Sequence, residues 1–294
     1  MVESDLLEGA IDLNIHSGPS LFPRLMDAHE TALVARNAGM RCLVIKHHHV
    51  PTVERSYFVS KSVPGVDVIG GVTLNYAVGG LNPFAVDAAM KLGGRIVWMP
   101  SADALNHVHH FGELGKYGSR LDYERPRIYE GKKVITILDE DRELLPNVHE
   151  ILDVIADADA AVATSHLDLE ESKALVAEAR RRDIKTIFTH VAFVTASLSV
   201  ADQRWMAERG AYLELCYNSL TPAWRPTTIK EVVSAIRRVG SEHYILASDL
   251  GQVHNPPPPE GLRRYISLLL ESGFEPDEIQ VMVKDNPERL LGLD

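Results

Sequence analysis

The residues best suited to chemistry are histidines at the ends of short apolar runs. In "AIDLNIHSG", Asn14 and His16 stand two residues apart, so an extended backbone sends both side chains to the same side. A His-x-His pair at this spacing aims two imidazoles at one ion; here asparagine takes the first position. A second run ends in "KHHH", Lys46 to His49, where Lys46 and His48 share one direction and His47 and His49 the other. "TSH" places His166, "FTH" places His190 and "ASD" places Asp249. A lone histidine at a strand end is more often a hydrogen-bonded structural residue than a ligand. Four runs ending in histidine and a fifth in aspartate, among 13 histidines in 294 residues, reverse those odds. Imidazole and carboxylate suit a divalent transition metal, Zn, Mn, Fe or Ni, as one ion or two. No cysteine lies close by, which speaks against a purely structural zinc site.

The remaining polar residues at run ends are fewer. One run offers Glu214, Tyr217 and Asn218, and two others only Asn75 and Ser101. His29, His149 and His243 fall on helices or strand starts and read as surface or packing residues. His107, His109 and His110 in "NHVHHF" stay open among a ligand, a substrate contact and a lid lining.

Residues so far apart need a scaffold that gathers strand ends. Eight β-branched runs supply it: Ala10–Ile15, Arg41–Ile45, Val66–Val72, Arg95–Met99, Ala160–Thr164, Lys185–Thr189, Tyr212–Leu215 and Tyr244–Ala247. Continuous apolar runs of this length fit strands buried on both faces. Helical stretches lie between most of them. Leu33–Ala38 stops at Gly39; Asn82 and Pro83 open a helix that stops at Gly93; "LEESKALVAEARRRD" carries acids in its first turn and arginines in its last; "IKEVVSAIRRVG" ends at Gly240; Pro146–Ala156 adds another. Eight strand–helix repeats predict an α/β (β/α)8 TIM-type barrel, a single domain over residues 1–294. A doubly wound sheet is the competitor, but no Gly-x-Gly-x-x-Gly follows the first strand. Residues 100–140 interrupt the rhythm as an insertion over the barrel mouth after strand four: Pro100–Gly131 lacks a helical period, and "KKVITILDED" reads as a short extra strand. "NPPPPEG", Asn255–Gly261, reads as a stiff loop.

Bulk composition agrees. Hydrophobic content of 45% and charged content of 24% are those of a globular chain, and a net charge of −11 argues against nucleic acid or an anionic membrane surface as partner. With no leader pattern and no long apolar run, the expected location is the cytoplasm. Cys42 and Cys216 sit in apolar runs and read as buried thiols. A homo-oligomer is the default expectation for a barrel, and a small molecule the expected substrate.

The arrangement resembles the amidohydrolase superfamily of metal-dependent hydrolases, in which histidines on strands one, five and six and an aspartate on strand eight converge. His16, His166, His190 and Asp249 match that pattern, and "NPERLLGL" is similar to the family's ending, with Asn286 as cap, Pro287 at the first helical position and Leu290 and Leu291 beneath the barrel. "VIKHHH" resembles a poorly characterised amidohydrolase-like branch with a Lys-x-His-His run after strand two, and is similar to the polymerase-and-histidinol-phosphatase hydrolases. Two departures stand out: Asn14 replaces the first histidine, and strand four brings no lysine or glutamate.

The resemblance implies metal ligands His16, His166, His190 and Asp249; the "KHHH" run offers His48 to complete the set in place of the missing histidine, Asn14 reads as a weak ligand or a hydrogen-bond partner behind the ligands, and Asp249, Lys46 and His190 are the candidate catalytic residues. Lys46 has three readings: a carboxylated bridging ligand, a cation facing substrate oxygen, or an ion pair with Asp12 or Asp249. Arg24, Arg55 and Arg225 are candidate cations for an anionic substrate, Phe22 and Trp224 candidate walls, and His49, Tyr217 and His254 candidate contacts. The implied reaction is metal-assisted hydrolysis of an amide, lactone, cyclic imide or ester. A metal-dependent decarboxylase or other lyase is the alternative, and a catalytically silent ligand-binding barrel the third reading.

Overall fold

In a computed structural model, which describes residues 2–114, 127–193, 195–223 and 227–293, the apolar runs form nine short strands. They are β1 (Ile11–Ile15), β2 (Cys42–Ile45), β3 (Asp67–Ile69), β4 (Gly71–Thr73), β5 (Ile96–Trp98), β6 (Ala161–Ala163), β7 (Lys185–Phe188), β8 (Ala211–Cys216) and β9 (Tyr244–Ala247). Every pairing is parallel, in the order β1-β2-β3 and β4-β5-β6-β7-β8-β9. Only Gly70 separates β3 from β4, so the two are halves of one barrel strand. A side chain at Gly71 would lie 2.0 Å from the Ile96 carbonyl oxygen, a close approach that only glycine permits.

The ring closes where β9 meets β1. Ile15 pairs with Leu250, the His16 N–H donates to the Leu250 carbonyl (2.8 Å), and the Asp249 N–H donates to the Asn14 carbonyl (2.8 Å). This closure sets Asn14, His16 and Asp249 side by side. A Cβ at Gly251 would lie 1.8 Å from the His16 carbonyl oxygen, so glycine there lets the last strand end lie against the first.

Inside the barrel, Ile11, Leu13, Cys42, Val44, Ile96, Trp98, Ala161, Ala163, Ile187 and Ile245 pack with Leu290 and Leu291, which seal its lower end. Two larger apolar clusters lie between strands and outer helices. The helices begin where side chains satisfy their free N–H groups: Asp27 and Glu30 form a capping box for Ala28–Asn37, Asp168 and Glu171 for Leu169–Arg181, and Asn82 caps Pro83–Lys91. Helices also run Pro146–Asp157 and Ile229–Val239.

The structure differs from the sequence reading in four places. Pro100–Gly131 holds a helix, Leu105–Phe111, and a 3-10 turn, Arg127–Tyr129. "KKVITILDED" is no strand: Ile135 bridges Ala104 and Leu138 bridges Leu144, each singly. Within "NPPPPEG" a helix starts at Pro258 and runs to Glu271, because prolines are tolerated in a first turn that has no use for their missing N–H. Asn286 is not a cap. It lies inside a helical segment continuing from a π turn, Val281–Asp285, and donates to the carbonyls of Glu242 (3.0 Å) and Tyr244 (2.8 Å). Among the described residues no helix is long and apolar enough to cross a membrane.

Candidate metal centre

The strand ends bring most of the predicted residues together over the barrel mouth. His16 Nδ1 donates to the Lys46 carbonyl (3.1 Å), since a carbonyl has no proton to give. Its Nε2 stands 3.0 Å from Asp249 Oδ1. Asp249 Oδ2 accepts from Asn218 Nδ2 (2.9 Å) and lies 4.0 Å from His190 Nε2. His190 Nδ1 faces Cys216 Sγ at 3.2 Å and Glu214 Oε2 at 3.8 Å. His190 and Asp249 both adopt left-handed backbone, with φ of 61° and 50°, a conformation costing about 1–3 kcal/mol that recurs at functional sites.

His48 lies with its ring centroid 4.9 Å from that of His16. Its Nδ1 is 2.9 Å from the Ser101 hydroxyl, which itself accepts from Asn75 Nδ2 (2.8 Å). His166 sits 5.5 Å from His190, ring to ring, and its Nδ1 is 2.7 Å from Nδ1 of His107. His110 turns instead to the Asn106 carbonyl, and His109 is exposed.

Lys46 Nζ and Asn14 Oδ1 are among the buried polar atoms that have no hydrogen-bond partner among the described residues. Of the three readings of Lys46, the ion pair with Asp12 or Asp249 does not form among the described residues. The ammonium stands 5.6 Å from the Trp98 ring. Asn14 Nδ2 donates to Glu214 Oε2 at 3.4 Å.

Burial governs the charges. It lowers His16 to about 4 and His190 to about 3, with neighbouring cations acting in the same direction, and takes His48 and His166 well below the ordinary value. These imidazoles are neutral at pH 7, with lone pairs available to a metal. Burial alone would raise Asp249; the His190 and His16 imidazoles and Lys46 outweigh it and hold the carboxyl below its ordinary range. Burial pushes Glu214 up to about 7 against the opposing pull of Lys46.

The outer contacts are mixed. Arg24, lowered to about 10 by burial, lies over Phe22 (5.6 Å) and within electrostatic reach of Asp249 and His16. Arg55 donates to the carbonyls of Gly18 and Pro19 (3.4 and 3.3 Å), bracing the loop after β1. His49 is half-buried beside Phe22 (5.5 Å), and His254 is exposed. Tyr217 packs on Tyr265 of an outer helix. Trp224 and Arg225 lie outside the described residues.

One group went unassigned in the sequence. His190, Glu214 and Cys216 present ligand-type atoms all within 4.8 Å of one another, and all three are buried. The signal was a glutamate inside "YLELCYN", an apolar strand where an acid is costly unless it serves something. Both cysteines are free and buried, as expected.

A family model described as a family of unknown function (DUF6282) matches residues 9–214. The chain belongs to this family. The matched span includes Asn14, His16, Lys46, His48, His166 and His190, and ends at Glu214. No curated protein matches in sequence. Solved structures similar to the chain include an amidohydrolase from Pseudomonas aeruginosa, 12% identical, with a TM-score of 0.66 over 99% of this chain and 97% of that one. The probable dipeptidase PvdM from the same organism is also 12% identical, with a TM-score of 0.66 over 99% and 96%. An organophosphorus hydrolase from Deinococcus radiodurans is 13% identical, with a TM-score of 0.59 over 99% and 94%. At such identities the likeness is one of fold, a TIM-type barrel.

Proposed function

We propose that the protein is a metal-dependent hydrolase acting on a small anionic substrate. The contact between His16 and Asp249 carries this reading. His16 gives its Nδ1 proton to the Lys46 carbonyl, and burial keeps the ring neutral. Its Nε2 stands 3.0 Å from Asp249 Oδ1, so close that either a proton or a cation must lie between them. Two acceptors at that distance repel in a buried site, and a cation between them removes the conflict.

His16, His190 and Asp249 would hold the metal, with His166 beside His190 and the unpartnered Asn14 oxygen as a further donor. When bound, a divalent transition metal acts as a Lewis acid and lowers the pKa of water from about 15.7 toward 7. Asp249 is the general base, its Oδ2 fixed by Asn218 where it can accept a proton and return it to the leaving group. Ser101 is fully buried, and among the described residues His48 Nδ1 is the acceptor in reach of its hydroxyl proton. With Ser101 as donor to Nδ1, His48 would carry its hydrogen on Nε2 and would turn from a metal ligand into a donor toward a substrate oxygen. Lys46 and Arg24 supply positive charge for an anionic group, and Phe22 walls the entrance.

The test is a panel of amides, lactones, cyclic imides and phosphoesters, each with and without a carboxylate, offered to zinc- and manganese-reconstituted protein. Hydrolysis of an anionic member, lost on chelation, is the expected result. Release of carbon dioxide without hydrolysis would transfer the reading to a lyase. No turnover and no metal uptake would overturn it in favour of a silent barrel.

A further inference from the structure

The insertion after β5 brings its own histidine to the metal centre. Its helix, Leu105–Phe111, is pinned to the barrel by Asn106, whose Nδ2 reaches the carbonyls of His166 (3.2 Å), Leu167 (3.3 Å) and Thr195 (2.6 Å). Its start is held by reciprocal bonds, Leu105 N–H to the Ile135 carbonyl (3.0 Å) and Ile135 N–H to the Asp103 carbonyl (2.8 Å). His107 follows Asn106 and is buried against the end of β6. Phe111, one turn on, backs its ring at 4.5 Å.

His107 Nδ1 and His166 Nδ1 are 2.7 Å apart, the ring centroids 4.9 Å apart, and the planes differ by 11°. The centroid distance is close to the nitrogen distance plus one ring radius at each end. The imidazoles therefore meet edge to edge and nearly coplanar, in the line of an N–H···N hydrogen bond, rather than face to face. One proton lies on that line, and its owner decides the chemistry. If His166 donates, its Nε2 keeps a lone pair and can bind a metal. If His107 donates, His166 carries its hydrogen on Nε2 and cannot.

We propose that His107 is a positioning residue: it accepts from His166 Nδ1 and holds His166 in the tautomer whose Nε2 is free to ligate. The insertion helix is then part of the metal centre. Partners that fix a ligating histidine this way typically change metal affinity 10–100-fold when removed. This inference rests on reading His166 as a ligand.

Two measurements test it. In metal-stripped protein carrying 15N-labelled histidine, above the titration range of the free imidazole, the His166 resonances should report a protonated Nδ1 and an unprotonated Nε2. In His107→Ala the tautomers should mix, and the zinc Kd from chelator competition should rise 10–100-fold. His107→Asn, whose side-chain oxygen stands where Nδ1 was, should restore most of both. A wild-type His166 protonated at Nε2 overturns the proposal. So does an unchanged Kd in His107→Ala, or a loss that asparagine does not rescue, which would make His107 a direct ligand. If the wild type binds no zinc, the metal reading fails, and the tautomer spectrum still decides the hydrogen-bond assignment.

Discussion

Replacing Glu214 with glutamine should stabilise the metal-stripped protein at pH 8 and do almost nothing at pH 4.5. The glutamate is buried in the barrel, held by Asn14 Nδ2 at 3.4 Å and facing His190 Nδ1 at 3.8 Å. Its folded carboxyl titrates at about 7 against an ordinary 4.5, so the native state keeps the proton longer than the unfolded chain. The stability contribution is full below 4.5 and lost as pH rises through 7. Each factor of ten in proton affinity is about 1.4 kcal/mol, so the ionised, buried carboxylate costs roughly 3 kcal/mol at pH 8. Glutamine keeps the acceptor for Asn14 without the charge. With unfolding entropy near 2.1 cal/mol/K per residue, a chain this long gains about 5 °C in Tm from 3 kcal/mol. Differential scanning calorimetry at the two pH values reads it directly. A Tm at pH 8 equal to or below the wild type, or the same shift at both pH values, would refute the reasoning that burial of this charge opposes folding.

Other substitutions give separate expectations. Asp249→Asn should leave the far-UV circular dichroism unchanged and lower turnover of any hydrolysed substrate by about 100-fold or more, measured as kcat under saturating metal. Leu290→Ala opens a cavity beneath the barrel, where Leu290 packs on Ile11 and Leu13, and should cost about 2–5 kcal/mol in urea unfolding. Asn106→Ala should remove about 1–3 kcal/mol of local stability and raise hydrogen exchange across residues 103–111, since three carbonyls lose their donor.

The scaffold was legible because parallel strands buried on both faces must be continuous apolar runs, and all eight lie within two residues of their expected bounds. The exception is instructive: Val66–Val72 reads as one strand but is broken at Gly70, where the backbone presses against Thr52 and Val53. Helices were less evenly legible: Asn82 and Pro83 mark one start, but Ala28–Asn37, capped by Asp27, read only as Leu33–Ala38, and Val53–Ser62 gave no signal that was read. The helix Leu105–Phe111 was not legible. It is short and polar, and its order comes from Asn106 reaching carbonyls about 60 and 89 residues away. At the site, strand parity assigns Asn14 and His16 to one side, because alternation is a property of the backbone. Parity says nothing of tautomers. Which nitrogen of His48 or His166 carries hydrogen depends on Ser101, Asn75 and His107, and these meet the histidines only once the barrel closes. The cost of burying Glu214 was visible in the sequence; its partners, Asn14 and His190, were not.

The central claim is that a cation belongs between His16 and Asp249. Crystals grown with zinc, with an anomalous difference map and elemental analysis of the same protein, test it most directly. The account predicts an ion bonded to His16 Nε2 and an Asp249 oxygen at about 2.0–2.2 Å. Protein that stays metal-free at saturating zinc, or an ion bound only at exposed histidines such as His109 and His254, would contradict it.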